Sequence, residues 1–277
     1  MVFLTSVITM TPPKLPFAVD YHDEIPSTSL VAKELLARGA TLPRAIIARM
    51  QTAGVGQRGR AWRSPVGGVF LTFMWPFDPK QTPDLLDTAL GLRLGMAVLG
   101  SIRAELAGTA HVAKLKLPND VMIGGRKVAG VLTEVVHGAS RVSETGEVSK
   151  TIAIVVGVGV NADFSRSELP DELHSTATTL RDVLGRSVDV DGLTVRLLTD
   201  LAMAISKPSL VPSLIAEATP LLWGVGSDHP VTLPDGSRAA GTLLGLTDRA
   251  LPQYEIGGRV LEVASVAVKR TGDDVSR

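Results

Sequence analysis

No cysteine occurs in the 277 residues. No disulfide can staple the fold, which agrees with a reducing, cytoplasmic setting. No charge of one sign dominates either: 28 Lys and Arg balance 28 Asp and Glu, for a formal net charge of +0. A protein that grips duplex nucleic acid by its phosphates carries a basic excess, so no nucleic-acid partner is expected. No apolar run is long enough to cross a bilayer, so no membrane partner is expected. The apolar start lacks a basic lead-in and is cut by Pro12-Pro13; it reads as a tail rather than a signal peptide. His22, His111, His137, His174 and His229 fall in no His-x-x-x-His or Glu-x-x-His pattern, and no metal ligands are assigned. No Gly-x-Ser-x-Gly elbow marks a serine hydrolase. The chain shows no internal repeat and no low-complexity segment.

What is present is an ordinary globular composition, 45% hydrophobic and 20% charged, with length for a large core and a small second domain. Ser27 and Thr28 precede a helical pattern through Leu30, Val31, Leu35 and Leu36 that stops at Gly39. Ala45 to Ala48 and Val69 to Met74 read as buried strands, and Asp84 to Leu106 as a long helix. Val121 to Ile123, Gly124-Gly125 and Arg126 to Val128 form a hairpin pattern, because glycine supplies the positive φ of a two-residue turn. Val131 to Val136 and Ile152 to Val160 read as strands joined by a polar loop from Gly138 to Lys150. Helical patterns return at Ala177–Leu184 and Gly192–Ile205. After Trp223 come short strands and tight turns: Val231 to Leu233, Pro234-Asp235-Gly236, Gly241 to Leu246, and a last strand from Val260 to Val268. That texture suggests a small β-barrel.

Three clusters carry chemistry. Gln51 to Trp62 contains Gly54-x-Gly56-x-x-Gly59 directly after a strand. A dinucleotide fold requires a helix to begin within that motif, whereas Ser64-Pro65, Gly67-Gly68 and another strand follow. The better reading is a mobile loop whose backbone N–H groups and arginines surround an anion; arginine's planar fork suits phosphate. A solvated surface turn is the plainer alternative. In the second cluster, Lys127 stands in an otherwise apolar strand, flanked by Val128-Ala129-Gly130. Either it faces an anion, or its stem lies on the sheet with its head in water. Asn119-Asp120 either bonds a ligand or ties the turn after Pro118. The third cluster, Gly157-Val158-Gly159-Val160-Asn161, permits close approach by a ligand or by another backbone.

Taken together the clusters resemble the biotin–protein ligase family. Ser27-Thr28 resembles its Ser-Thr-Asn at the start of the first helix. Gln51 through Arg60, with Trp62 and Ser64 to Gly67, resembles its adenylate-binding loop. Lys116-Leu117-Pro118-Asn119-Asp120 resembles its Lys-Trp-Pro-Asn-Asp, and Gly125 to Gly130 the strand bearing its essential lysine. Gly157 to Asn161 resembles its Gly-x-Gly-x-Asn, and Ala177 to Arg181 its Ala-Thr-Ser-Leu. The tail from Val231 resembles its SH3-like module.

The resemblance implies an α+β fold, a mixed β-sheet packed with helices in the manner of class II synthetases, plus a small C-terminal SH3-like β-barrel. It divides the chain into a tail at 1–14, a catalytic domain at 15–224, an SH3-like domain at 225–270 and a tail at 271–277. Motifs that begin by Ser27 imply the form without the N-terminal DNA-binding domain of the regulatory members. The implied activity has two steps, formation of biotinyl-5′-AMP from biotin and ATP with magnesium, then transfer of biotin to a lysine of a biotin carboxyl carrier protein. A homodimer is compatible with this reading. Lys127, Arg58 and Arg60 are implied as catalytic. Ser27, Thr28, Gln51, Gly54, Lys127, Gly130 and Gly157 are implied around biotin. Gly56, Gln57, Arg58, Gly59, Arg60, Trp62, Lys116, Asn119 and Asn161 are implied around ATP or the adenylate.

The sequence departs from the family pattern in four places. Val55 and Gln57 stand where basic residues are usual, Ser29 where asparagine is, and Leu117 where tryptophan is. A lipoate or octanoate ligase, and a degenerate non-catalytic biotin-binding paralogue, are the competing readings.

Overall fold

The computed structural model describes residues 15–78, 89–142, 148–206, 210–233, 236–263 and 268–270. The tails at 1–14 and 271–277, the first part of the helix expected from Asp84, and Pro234-Asp235 lie outside the described residues.

Twelve strands and five α-helices are described: β1 (Ala18–Ile25), α1 (Thr28–Ala37), β2 (Arg44–Gln51), β3 (Val69–Phe77), α2 (Leu90–Glu105), β4 (Ala113–Lys116), β5 (Asp120–Ile123), β6 (Arg126–Val142), β7 (Val148–Val160), α3 (Leu180–Leu184), α4 (Val190–Ser206), α5 (Val211–Ala218), β8 (Asp228–Thr232), β9 (Arg238–Leu246), β10 (Pro252–Ile256), β11 (Arg259–Glu262) and β12 (Val268–Arg270). One sheet runs β1-β2-β3-β7-β6-β5-β4, with β12 also paired to β6; a second sheet of four strands runs β11-β10-β9-β8. The large sheet is mixed, because β1 lies parallel to β2 and β12 parallel to β6 while the remaining pairs are antiparallel.

The two-residue side-chain period of a strand sorts the core. Ile47, Phe73 and Val156 point to one face and pack with Leu94 and Leu99 of α2 and Leu197 and Leu201 of α4. Ile46, Met74 and Val155, one residue out of phase, point to the other face and pack with Ala32 and Leu36 of α1. On that second face, moving along β7 from Val155, the next two residues in phase are Gly157 and Gly159. Gly130 lies opposite Gly159 on β6, and Leu132 opposite Gly157. Helix α1 begins only at Thr28, so this glycine-paved part of the sheet is left for the loop after β2 to cover.

Several expectations from the sequence need correction. The polar segment from Gly138 to Lys150 is mostly strand: β6 runs to Val142 and β7 starts at Val148, paired through Ser140↔Lys150 and Val142↔Val148. Two antiparallel strands satisfy each other's backbone groups whatever the side-chain polarity. The described part of the long helix expected from Asp84 is α2, Leu90–Glu105. Helix α3 begins at Leu180, because Ala177 is held extended beside Lys127 and Thr179 caps the helix by accepting from the Asp182 N–H at 3.1 Å. The strand expected from Val260 to Val268 divides: β11 pairs with β10, while β12 leaves the small sheet and pairs with β6 at Thr133 to Val135. It lies on the edge of β6 where pairing with β5 stops at Gly130, and so completes hydrogen bonds an exposed edge would leave open.

Candidate active site

The loop between β2 and β3 is ordered by its own backbone. The N–H of Trp62 donates to the Gly54 carbonyl at 2.8 Å, that of Gly56 to Arg60 at 2.7 Å, and that of Arg60 to Gln57 at 3.2 Å. Arg58 sits at the tip with φ of 57°, where a residue with a Cβ is strained, and Gly59 follows with φ of 73°. Three amides that an anion could have used are therefore spent within the loop.

Beneath this lid lies a cavity of about 420 Å³. Its floor includes Gly130, Leu132, Gly157 and Gly159, and its walls include Thr28, Ser29, Gln51, Val131 and Val158. Trp62 reaches down to the floor. A Cβ on Gly159 would lie 2.5 Å from the indole, so only glycine admits the ring there. The indole Nε1 is buried with no hydrogen-bond partner. The Lys127 ammonium lies 5.0 Å from the Trp62 ring centroid and 2.6 Å from Asp120 Oδ1, with about a third of its side chain exposed. Neither reading of Lys127 holds alone: its head meets a carboxylate and an aromatic face rather than open water. The strand that carries it is pinned from outside the sheet, its N–H donating to the Thr176 carbonyl at 2.8 Å and its carbonyl accepting from Thr178 at 2.9 Å.

A second cleft of about 280 Å³ opens beside the lid, between the large and small sheets. Arg58, Arg60 and Lys116 line it together with Trp223, His229 and Tyr254, and among the described residues no acidic side chain does. Lys116 stands over Trp223, 5.0 Å from the ring centroid. The Gly224 carbonyl accepts from His229 Nε2 at 2.9 Å, and the imidazole meets the Trp223 and Tyr254 rings edge-on.

The structure brings most of the expected residues together. Thr28, Gln51, Gly56, Gln57, Arg60, Trp62, Lys116, Asn119, Lys127, Gly130, Gly157 and Asn161 all line the first cavity. Four others do not. Ser27 is buried at the start of α1, and Ser29 faces the cavity two residues later. Gly54 serves the loop, since a Cβ there would lie 2.5 Å from the Trp62 carbonyl oxygen. Gly59 serves the turn, and Arg58 faces the second cleft. Two of the lining amides are already engaged: Asn119 Nδ2 donates to the Val131 carbonyl, and Asn161 Nδ2 to Thr178 at 3.1 Å. Both hold the walls in place.

Thr72, Asp120 and Trp223 are the residues that sequence reasoning placed least well. Thr72 carried a signal, as the lone hydroxyl inside the apolar run of β3, whereas Trp223 and the second cleft depend on how the two sheets meet.

The model of the Biotin/lipoate A/B protein ligase family matches residues 21–161, which span the lid, the cavity floor and Lys127. The chain belongs to this family. The bifunctional ligase/repressor BirA of Bacillus subtilis (strain 168) is 34% identical over 176 residues, 62% of this chain and 49% of the relative. The chain thus spans about half the length of the curated ligase/repressor relatives it matches. The biotin--[acetyl-CoA-carboxylase] ligase of Mycobacterium tuberculosis (strain ATCC 25618 / H37Rv) is 29% identical over 248 residues, 88% of this chain and 86% of the relative. Among solved structures, the biotin protein ligase from Aquifex aeolicus in complex with biotin and ATP superposes with a TM-score of 0.70 at 24% identity, covering 90% of this chain and 96% of that one. The shared architecture is a mixed sheet packed against helices.

Proposed function

We propose that this chain is an ATP-dependent biotin–protein ligase. One observation carries the reading: the Lys127 ammonium lines a cavity with a glycine-paved floor, beside the aromatic side chain of an arginine-bearing lid. The first step brings together two anions, a carboxylate and the α-phosphate of ATP. The acid oxygen attacks phosphorus, pyrophosphate leaves, and biotinyl-5′-AMP is formed. Lys127 lies where its charge can hold both reacting groups, and a site already organised for that charge lowers the barrier without rearrangement. Gly130, Gly157 and Gly159 leave depth for an acyl chain and ring, with Thr28 and Gln51 at the polar end. Arg60 and Lys116 line both cavity and cleft, and Arg58 adds a third cation in the cleft, so phosphates leaving the α-position would move into a basic space. In the second step the amine of a carrier lysine attacks the acyl carbon and AMP departs.

Magnesium would arrive on the nucleotide's phosphate oxygens, which the cation needs more than a protein cage. Asp120 is a carboxylate lining the cavity and is engaged by Lys127. We take residues 15–224 as the catalytic domain, the four-stranded sheet within 225–270 as the SH3-like module, and a biotin carboxyl carrier protein as the acceptor. The named relatives support this choice, being ligases for acetyl-CoA carboxylase. No described helix is long and apolar enough to cross a membrane.

The test is ATP–pyrophosphate exchange by the full chain. Exchange that depends on biotin and is absent with lipoate or octanoate is the expected result. Exchange with lipoate alone, or binding of biotin without exchange, contradicts it.

A further inference from the structure

A chain of hydrogen bonds runs from the closed end of the cavity to the lid, and its polarity can be worked out from one fixed point. The backbone N–H of Thr28 can only donate, and it donates to Gln51 Oε1 at 2.8 Å. That fixes which end of the Gln51 amide is oxygen. Thr28 Oγ1, at 3.2 Å from the same oxygen, must then spend its single proton there. Thr72 Oγ1 donates to Thr28 Oγ1 at 2.9 Å, which uses the only proton Thr72 has. The remaining contact, Ser29 Oγ to Thr72 Oγ1 at 3.1 Å, therefore has Ser29 as its donor. At the other end, Gln51 Nε2 donates to Ser64 Oγ at 2.9 Å, and Ser64 donates to the Trp62 carbonyl at 3.1 Å.

Every hydroxyl proton in the chain is thus turned away from the ligand space. Ser29, which lines the cavity, is left with lone pairs alone to offer, while Gln51 Nε2 keeps one N–H. The close approach of Ser29 to the floor is possible because Gly157 has no Cβ; one there would lie 3.2 Å from Ser29 Oγ. Thr72 itself is fully buried, 0% exposed, and does not line the cavity.

We infer that Thr72 is a positioning residue for selection of the acid: by accepting the Ser29 proton it makes Ser29 a pure acceptor, so the closed end of the cavity selects acids whose ring bears an N–H beside a C=O. This rests on the proposed function, since the cyclic urea of biotin has that pattern. The dithiolane of lipoate has neither group and would leave the Ser29 lone pairs and the second Gln51 N–H unmet. A site built around hydrogen bonds rejects analogues that cannot make them more strongly than an apolar pocket rejects a change of size.

The experiment is calorimetric titration of the full chain and its variants with biotin and with lipoate. Thr72→Val keeps the shape and removes the hydroxyl; it should weaken biotin binding by about tenfold or more while leaving the weaker lipoate binding unchanged. Thr72→Ser restores the hydroxyl and should bind biotin within about twofold of the parent chain. Unchanged biotin affinity in Thr72→Val overturns the inference, as does equal loss for both acids or failure of Thr72→Ser to rescue. Should Thr72→Val prove unfolded by its thermal transition, Ser29→Ala takes its place, with the same selective loss expected and unchanged biotin affinity overturning the claim. A parent chain that binds lipoate and not biotin contradicts the proposed function itself, whereas a parent that binds biotin alongside an unaffected Thr72→Val contradicts only the role of Thr72.

Discussion

Single residues decide how closely the lid can approach the sheet. Gly159 is the sharpest case, because the Trp62 indole occupies the place where any Cβ would be, and the nearest indole atoms belong to a rigid ring. Gly159→Ala should push Trp62 off the floor and weaken biotin binding by about tenfold, with little change in the unfolding midpoint; titration calorimetry beside a thermal melt checks both. Gln57 lines the cavity as well as the cleft, and its amide can donate hydrogen bonds but carries no charge. A charged donor holds phosphate more strongly than a neutral one. Gln57→Arg should therefore slow dissociation of biotinyl-5′-AMP by about fivefold, read by stopped-flow displacement; an unchanged rate would show that Arg58 and Arg60 already supply what the family's basic residue does.

At the scale of elements, the lid is a short hairpin-like loop with two cationic side chains near its tip. Arg58 and Arg60 are exposed, so their attraction for phosphate is screened by salt. Arg58→Ala should weaken ATP binding several-fold at low ionic strength and flatten its salt dependence, with biotin binding intact; an unaltered salt slope would remove Arg58 from the nucleotide site. Elements with strong periodicity were legible in the sequence: α1, β2, β3, the Gly124-Gly125 hairpin and α4 all stand where their patterns placed them. One that was missed, α5, does carry a pattern, with Val211, Leu214, Ile215 and Ala218 at helical spacing on its packed face; other missed elements lack one. β1 carries Asp20, His22, Asp23 and Glu24 because it is an edge strand, half in water, and β4 is only four residues long. The extensions of β6 and β7 were invisible because partner backbones, not side chains, stabilise them. Within the site, Lys127 and the alternating glycines were legible as chemistry out of place in an apolar strand. The Asp120 partner and the Thr72 relay were not, because each depends on register between strands that sequence spacing does not contain.

For the whole molecule, the small sheet does more than trail the large one. Trp223 N–H donates to the Leu115 carbonyl at 2.8 Å where the chain leaves the large sheet, and β12 returns to pair with β6. The second cleft adjoins the first of these ties, and the Trp223, His229 and Tyr254 rings line it. Burial holds the Tyr254 phenol above the ordinary tyrosine range. Its neutral form is favoured in the folded chain, so its contribution to stability is complete below the unfolded value and is lost as pH rises through the folded one. A thermal midpoint that falls in alkaline solution, and falls less in Tyr254→Phe, is the expected outcome; parallel falls in both proteins would place the alkaline loss elsewhere.

Joining the two anions depends on the cation at position 127. Its most direct measurement is biotin-dependent ATP–pyrophosphate exchange by Lys127→Ala, taken with the thermal midpoint of the same protein. Loss of exchange in a variant that still unfolds cooperatively near the parent temperature is the predicted result. Exchange at near-parent rates would mean that another group brings the two anions together, and would contradict the account.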